Sequence, residues 1–460
     1  MLTARVLRRA LAVALALALV GLGCATSSTG DDLALPSSVD PAPLPQPLVR
    51  GTDSSDGAHR VPATGVLDGA RVLDVALASR PAWIVGAGTS GATWWVVVDE
   101  SGAVRGLRVP DDDPAAFEDV PVVPDRLPPG APPVVETVDP ITLVAPPADG
   151  APLAPPLRLL PSGTAAVLDD GAVRLGDGPD APVLAVDAPP DARMAVDPVT
   201  GALAVPAGAS DRYPHGALGD DVEATGVVVV DVDGAVRRID VADDEVLEGL
   251  GPAWVDVEGD STPELAAVVS SFGAGSRLVV FGLDGRRREG PPTGRSNRWI
   301  HLVGGTFAGS AGEIELVAVR TPHLTGTVEW YRAAADGLEV VAALDGYRSH
   351  VLGTRNLDLA LLTDGTGDRT ADVVIPTADL GALAVLTRVD EAPGAVEAVR
   401  LPLPGTLATN VAAAGRTNQP LVLAAATDTT LRLWLAGPGE RDRAGGTAVP
   451  LPPAPAGATG

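Results

Sequence analysis

Residues Trp254–Phe281 read WVDVEGDSTPELAAVVSSFGAGSRLVVF, a polar Gly-containing loop that leads into an acidic residue, an apolar strand, a short turn and a second apolar strand. The same layout recurs in Val303–Tyr331 (VGGTFAGSAGEIELVAVRTPHLTGTVEWY) and in Leu361–Leu386 (LLTDGTGDRTADVVIPTADLGALAVL). The three loops begin near residues 256, 306 and 364. A repeat of roughly 50 residues that carries several short strands is typical of one blade of a β-propeller.

The rest of the chain between residues 65 and 437 carries the same kind of pattern. Its apolar runs are short and β-branched, as in WWVVV at Trp94–Val98, VVVVDV at Val227–Val232 and DVVI at Asp372–Ile375. Glycine and proline are abundant, with 53 and 44 residues in 460, and no segment has a convincing helical period. Short strands separated by turn residues at regular intervals predict an all-β fold.

Further copies of the repeat set the predicted number of blades. A weaker copy lies at Met194–Asp231 and a degenerate one at Asn410–Leu435, and Val72–Val98 shows the same strand–turn–strand pairing. Residues 65–437 therefore have room for about seven repeats, which predicts a single β-propeller of about seven blades. Six or eight blades stay open as alternatives, because Pro121–Pro161 is rich in proline and poorly patterned.

The N-terminus has the features of an export signal. Arg5, Arg8 and Arg9 precede an uncharged apolar run, Ala10–Leu22, and the only cysteine of the chain, Cys24, follows. The run is too short to cross a bilayer, which requires about 20 apolar residues, and its flanks are those of a secretory signal. The segment before the cysteine resembles the lipobox of bacterial lipoproteins. That resemblance implies a signal peptide over residues 1–23 and a lipid on Cys24; a plain secreted protein with an incidental cysteine is the alternative.

The segments on either side of the predicted propeller are different in composition. Residues 25–64 are rich in Ser, Thr, Asp, Pro and Gly, and together with Cys24 they form a lipidated N-terminus and disordered tether at 24–64. Residues 438–460 form a Pro/Gly/Ala-rich tail. We therefore expect an exported protein that is anchored at the cell envelope, on the cell surface or the periplasmic side, by an N-terminal lipid.

Charge and cysteine content exclude several classes of function. The chain carries 59 acidic and 33 basic residues, a formal charge of −26, and every basic residue is arginine. Such an acidic field repels phosphate backbones, so we expect no nucleic-acid partner. A single cysteine allows no internal disulfide and no thiolate metal site.

Two of the repeat loops resemble the calcium loops of FG-GAP/VCBS-repeat β-propeller proteins, which follow D-x-[DN]-G-D-G-x-x-[DE]. The resemblance is clearest over residues 250–390. It implies that positions 1, 3, 5 and 9 supply side-chain oxygens and position 7 a backbone carbonyl, the hard oxygen ligands that calcium prefers. In the first loop these positions are Asp256, Glu258, Asp260, Glu264 and, through its carbonyl, Thr262; in the second they are Asp364, Thr366, Asp368, Asp372 and, through its carbonyl, Thr370.

Both loops depart from the family pattern. Ser261 and Arg369 replace the glycine at position 6, where the turn is expected to need a positive φ. The corresponding loop of the middle repeat has Thr306, Ala308 and Ser310 at the first liganding positions, and we expect it to bind no metal. Solvated acidic turns that bind no calcium are the alternative for the other two loops.

Three histidines fall in successive stretches of the chain, each close to an arginine or a tryptophan. Equivalent loops of a propeller gather at one end, so these side chains could share a pocket for an anionic or sugar-like ligand. Three unrelated surface histidines are the alternative. The candidate pocket residues are Trp299, His301, Arg320, His323, Arg348 and His350.

No catalytic constellation is evident in the sequence, which lacks a zinc-binding H-E-x-x-H motif and a G-x-S-x-G elbow. We therefore expect a non-catalytic, membrane-anchored propeller lipoprotein that binds an unknown protein or glycan, with calcium as its candidate cofactor. Two alternatives stay open: a propeller enzyme acting on glycans or other envelope substrates, and an envelope-assembly scaffold.

Overall fold

The computed structural model describes residues 60–438 except 160–162, 179, 309–312 and 416–419. In this part of the chain all regular structure is β apart from one 3₁₀ turn, Pro114–Ala116. No helix among these residues is long and apolar enough to cross a membrane. The predicted signal peptide, Cys24, most of the tether and the tail from residue 439 lie outside the described residues.

The strands form sheets that follow one another along the chain. The first two strands, β1 (Arg60–Thr64) and β2 (Val66–Ala76), belong to sheets formed at the end of the chain. Sheet 1 contains the next four: β3 (Pro81–Thr89), β4 (Ala92–Asp99), β5 (Val104–Pro110) and β6 (Glu118–Val120). Sheet 2 has three strands, β7 (Val122–Val123), β8 (Val135–Val138) and β9 (Ile141–Leu143). Sheet 3 contains β10 (Leu157–Leu159), β11 (Gly163–Val167), β12 (Ala172–Leu175) and β13 (Val183–Ala185).

Sheets 4 and 5 are joined by one short strand, β18 (Glu245–Leu247), which pairs with both of them. Sheet 4 contains β14 (Ala195–Val196), β15 (Leu203–Ser210), β16 (Glu223–Val230) and β17 (Val236–Asp240). Sheet 5 contains β19 (Ala253–Val255), β20 (Glu264–Ser271), β21 (Gly275–Gly282) and β22 (Arg287–Glu289).

The last three sheets repeat the four-stranded pattern. Sheet 6 contains β23 (Ile300–Ala308), β24 (Glu313–Arg320), β25 (Gly326–Ala334) and β26 (Gly337–Tyr347). Sheet 7 contains β27 (Leu361–Asp364), β28 (Asp372–Pro376), β29 (Ala382–Arg388) and β30 (Ala395–Pro402), with β1 added in parallel beside β27. Sheet 8 contains β31 (Val411–Ala414), β32 (Val422–Ala426), β33 (Thr430–Gly437) and β2.

Hydrophobic packing joins these sheets into a ring. Buried Val, Leu, Ala and Trp side chains form a cluster between each pair of neighbouring sheets from sheet 3 to sheet 8, and again between sheets 8 and 1 and sheets 1 and 2. Sheets 2 and 3 are linked by an ion pair between Glu136 and Arg158, 3.6 Å apart. The molecule is therefore a single β-propeller.

The two ends of the ring carry different sets of connections. In an antiparallel four-stranded sheet, the connections after the first and third strands lie at one end, and those after the second and fourth at the other. The loops 256–263 and 365–371 each follow a first strand, and we call their side the acidic-loop end. The connections 211–222, 272–274, 290–299, 321–325 and 348–360 lie on the opposite side, which we call the histidine end.

The repeats predicted from sequence correspond to the first three strands of sheets 4, 5, 6, 7 and 8, and the all-β prediction is confirmed. The pairing predicted within Val72–Val98 was wrong for Val72, which lies in β2 and pairs with Trp434 of β33. Sequence order misled there because the first long strand completes the last sheet. The described chain holds seven four-stranded sheets, and the three-stranded sheet 2 falls in the Pro-rich stretch 121–161. Residues Arg60–Thr64, assigned to the tether, form β1.

Closure of the ring should make β33 a critical strand. Leu433 is fully buried between sheets 8 and 1, so we expect Leu433→Ala to lower the free energy of unfolding by about 2–5 kcal/mol. The matched control is Leu352→Ala on an exposed connection, which should cost less than about 0.5 kcal/mol. Urea unfolding followed by circular dichroism measures both values, and equal losses would contradict the closure argument.

Candidate functional site

The structure brings the three predicted histidines together around Trp299 at the histidine end. The ring centroid of buried Trp299 lies 5.8 Å from that of His301, 6.5 Å from that of His323 and 4.9 Å from that of His350. These residues come from the start of sheet 6, from its β24–β25 connection and from the connection that leads to sheet 7. The alternative of three unrelated histidines therefore does not describe this arrangement.

Sequence reasoning missed the part of the cluster that sheets 4 and 5 contribute. His215 lies 6.4 Å from His323 and 6.2 Å from Tyr213, and Tyr213 lies 4.9 Å from Phe272, all between ring centroids. Tyr213 and His215 belong to the β15–β16 connection, and Phe272 to the β20–β21 turn. In these antiparallel sheets, every connection that follows a second strand lies at the same end as the histidines. Applying this rule to the sequence would have identified Tyr213, His215 and Phe272 as neighbours of the histidines. Phe272 packs at the edge of six side chains that we call the histidine cluster: Tyr213, His215, Trp299, His301, His323 and His350.

A buried carboxylate, Glu248, fixes one side of this cluster. Its side chain bonds to Nδ1 of His215 and accepts hydrogen bonds from the hydroxyls of Ser270 and, at 3.1 Å, Ser276. Its backbone oxygen accepts the Nε1–H of Trp299 at 3.0 Å. Because Glu248 is only 1% exposed, these bonds replace the water that its charge would otherwise need. Glu248 therefore orients both His215 and Trp299.

His350 presents an unused hydrogen-bond acceptor. Its Nε2 donates to the backbone oxygen of Thr354 at 2.8 Å, which leaves Nδ1 as the lone-pair nitrogen of the neutral ring. Nδ1 is buried and has no hydrogen-bond partner among the described residues. Burial lowers the pKa of His350 to about 4, so the ring is neutral at neutral pH. A hydroxyl or N–H donor of a ligand or a water molecule would satisfy this nitrogen.

Two arginines give the same end a local positive charge. Neither Arg298 nor Arg348 forms an ion pair with any described residue, and Arg348 has one long hydrogen bond, from Nε to the backbone oxygen of Leu324 at 3.4 Å. Burial, then His215, and then both arginines lower the pKa of His323, while Glu248 opposes them. The third predicted arginine, Arg320, is instead bonded to Glu329 at 2.8 and 3.1 Å. Arg320 therefore pairs with a residue of its own sheet and does not add a free positive charge to the cluster.

The space beneath the cluster is small. A cavity of about 40 Å³ is lined by residues that include Glu248, Trp299 and His301. This volume suits water, since pockets for small molecules occupy about 300–1,000 Å³. A larger ligand would therefore contact the outer surface of the cluster, where His323, Arg298 and Arg348 lie partly exposed.

The two acidic loops at the other end share one backbone conformation. Asp256 accepts hydrogen bonds from the backbone N–H groups of Asp260 (3.0 Å) and Ser261 (2.9 Å). In the second loop Asp364 accepts from Gly367 (2.6 Å) and Arg369 (2.9 Å). The predicted positive φ at position 6 is confirmed, at 66° for Ser261 and 78° for Arg369.

The remaining carboxylates differ between the loops. Glu258 bonds to two arginines, Arg286 and Arg288, which already neutralise it. Glu264 accepts from the N–H of Val257 at 2.9 Å, and Asp260 accepts from that of Thr262 at 2.8 Å. Each acidic side chain of the first loop is thus bonded to the loop's own backbone or to arginines.

The second loop retains an oxygen that no hydrogen bond uses. Asp372 accepts from the N–H and hydroxyl of Thr366 through Oδ2, while its buried Oδ1 has no partner at hydrogen-bond geometry among the described residues. Burial raises the pKa of Asp372 to about 6, although the hydroxyl of Thr387 is near enough to act in the opposite direction and lower it. Asp368 accepts from Thr370 at 2.7 Å. In the described ranges no group of three or more His, Cys, Asp or Glu is arranged to hold a metal ion. In the loop of the middle repeat, the side chains of residues 306–313 lie outside the described part of the chain.

Comparison with known proteins found remote structural similarity and no sequence match. No family model and no curated protein matches the sequence. Among solved structures, the chain is similar to the BP39L lectin from Burkholderia pseudomallei, with 17% sequence identity and a TM-score of 0.40. The match covers 79% of this chain and 98% of the lectin. A similarity this low says nothing about the ligand.

The buried histidine should make the protein acid-labile. Folding holds the pKa of His350 near 4 against 6.5 for an unperturbed histidine, so the unfolded chain binds more protons between those pH values. We expect His350 to remove up to roughly 3 kcal/mol of stability as pH falls through that range. His350→Gln keeps a donor for Thr354 and does not titrate, so its stability should depend less steeply on pH. Urea unfolding at pH 7, 5.5 and 4.5 measures both slopes, and identical slopes would contradict the assignment.

Proposed function

We propose that this protein is an exported, lipid-anchored, non-catalytic β-propeller that binds an anionic group of a protein or glycan ligand at its histidine end. The observation that carries this proposal is the convergence of the histidine cluster with Arg298 and Arg348, two arginines without an ion partner among the described residues. Guanidinium groups pair well with carboxylates and phosphates. The neutral Nδ1 of His350 is buried, so it would reach such a ligand only through a bound water molecule.

Binding is better supported than catalysis at this site. The contact between His215 and Glu248 is the arrangement of a general base and its orienting carboxylate. However, Glu248 is fully engaged by serines and His215, and the adjoining cavity has room for water only. We therefore assign this pair to positioning the cluster.

The double variant Arg298→Gln/Arg348→Gln tests the ligand class. We expect wild-type protein to bind acidic members of a panel of matched acidic and neutral glycans and peptides, with an affinity that falls as salt rises. Because hydrogen bonds to charged groups contribute about 1.5–3 kcal/mol each, the double variant should bind at least tenfold more weakly.

The control for charge alone is Arg71→Gln, which removes an exposed arginine from the middle of β2, away from the cluster. This variant should bind as the wild type does. Surface plasmon resonance with immobilised ligand measures all three proteins. Equal binding to acidic and neutral ligands, or unchanged binding by the double variant, would contradict the proposal.

The anchoring half of the proposal rests on sequence. Its support is the resemblance of the segment ending at Cys24 to a lipobox, after the positive residues and the short apolar run. Mass spectrometry of the N-terminal peptide from native membranes would show a diacylglyceryl cysteine at position 24. An unmodified cysteine, or a mature N-terminus elsewhere, would remove the anchor from the proposal.

We also propose that calcium stabilises the fold through the loop Asp364–Asp372 and not through Asp256–Glu264. The support is the buried, unbonded Oδ1 of Asp372 in the second loop and the pairing of Glu258 with arginines in the first. Because the carboxylates of Asp364, Asp368 and Asp372 are not grouped to hold a metal in the structure, calcium binding would require them to turn toward one point. The charge of the ion would favour ionised Asp372.

A pair of equivalent substitutions separates the two loops. At about 5 mM calcium, a site with a dissociation constant of about 0.1 mM adds about 2.3 kcal/mol to the free energy of unfolding. This increment should disappear in Asp368→Ala and persist in Asp260→Ala, which alters the matching position of the first loop. Thermal melts with calcium and with chelator measure it. No shift in wild type, or equal loss in both variants, would overturn the assignment.

A further inference from the structure

Three large apolar side chains are exposed around the histidine cluster. Phe272 is 57% exposed, Leu324 47% and Leu352 60%. They lie on three separate connections, those after β20, β24 and β26, and all three connections belong to the histidine end. Every other exposed large apolar residue among the described ones is a valine. We call Phe272, Leu324 and Leu352 the apolar rim.

Each residue of the rim lies close to a residue of the proposed ligand site. The ring centroid of Phe272 lies 4.9 Å from that of Tyr213 in the cluster. The backbone oxygen of Leu324 accepts a hydrogen bond from Nε of Arg348. Leu352 follows His350 by two residues. Exposed apolar side chains that flank unpaired arginines combine the two chemistries of an anionic amphiphile, a charged headgroup and an apolar chain.

The path of the chain adds an independent argument. β1 runs parallel to β27, with Arg60 beside Leu362 and Thr64 beside Asp364. Since Asp364 marks the acidic-loop end, Arg60 is on the side of the histidine end, and the preceding chain joins the propeller there. If residues 25–59 are the flexible tether, their r.m.s. span is about 30 Å. The predicted lipid on Cys24 would thus hold the histidine end close to a bilayer.

We propose that the histidine end also binds an anionic lipid in a bilayer surface. This inference goes beyond the proposed function and uses the same two arginines for a lipid phosphate. The phosphate contacts Arg298, Arg348 and His323, and the apolar rim enters the boundary between headgroups and acyl chains. The remaining surface of this acidic chain is repelled by anionic lipid, so the contact is confined to this end.

The experiment is a vesicle co-sedimentation with the exported chain lacking its lipid, residues 25–460. Vesicles contain phosphatidylcholine with or without phosphatidylglycerol, and soluble glycerol phosphate is titrated separately. We expect binding to the phosphatidylglycerol vesicles at least tenfold stronger than to phosphatidylcholine alone, weakened by salt. We also expect much weaker binding of glycerol phosphate, which lacks acyl chains.

Variants separate the two chemistries. Phe272→Ser/Leu324→Ser/Leu352→Ser should reduce vesicle binding at least tenfold and leave binding of glycerol phosphate unchanged. Arg298→Gln/Arg348→Gln should weaken both. The control is Val199→Ser/Val232→Ser, which removes two exposed valines at the acidic-loop end and should bind vesicles as the wild type does. Unchanged thermal melts show that each variant is folded, since all the apolar positions are exposed.

Each other outcome overturns part of the scheme. Vesicle binding that survives loss of the rim, or that is lost equally in the valine control, overturns the lipid contact at this end. Binding of soluble acidic glycans or peptides without binding of vesicles overturns this inference and leaves the proposed function standing. If neither vesicles nor soluble anions bind, the proposed function fails as well.

Discussion

Burial of sheets 4 to 8 and sheet 1 on both faces is the constraint on which the structure depends. In sheet 5, all eight residues of β20 and all eight of β21 are buried, so neither strand shows the alternation of a half-exposed sheet. Such a sheet is stable only with a neighbour on each side, and a row of sheets would leave two apolar faces uncovered. The ring removes these ends. It closes because β2 pairs with β33, which ties residues near both ends of the described chain into one sheet.

The histidine end depends on a second long-range connection. The chain between sheets 6 and 7 reaches sheet 4, which is two sheets away, where the N–H of Gly353 donates to the backbone oxygen of Ala217 at 2.9 Å. Gly219, with a φ of 98°, lies so close that a Cβ would come within 2.9 Å of the backbone oxygen of Gly353. Glycine is therefore required at this approach.

Ion pairs hold the same connection in place. Arg193, two residues before β14, pairs with Asp358 at 2.6 Å. Arg355 pairs with Asp191 at 2.8 Å and with Asp220. The Arg193–Asp358 pair is almost fully buried, so removing one partner would leave an uncompensated charge. Because His350 lies on this connection, the ion pairs also determine where its ring meets Trp299.

The sequence predicted the fold well where local pattern decides it, and the site only in part. Repeated strands and turns identified the sheets, and equivalent repeat positions brought His301, His323 and His350 to one end. Glu248, Tyr213 and His215 escaped prediction because their role depends on the packing of sheets 4 and 5 against sheet 6, which no local spacing encodes. The pairing of Val72 was missed for the same reason, since its partner strand lies at the far end of the chain.

The two ends of the ring differ in whether their charged side chains have partners. At the acidic-loop end, carboxylates such as Asp256 and Asp364 are occupied by backbone N–H groups of their own loops. At the histidine end, Arg298 and Arg348 lie next to His323, whose pKa is lowered by burial, and they lack acidic partners among the described residues. In a chain with almost twice as many acidic as basic residues, most exposed arginines have an acidic side chain close enough to pair with. Arg298 and Arg348 have no such partner in the described part of the chain and lie beside the apolar rim. They therefore attract anions locally, although the chain as a whole carries a net charge of −26.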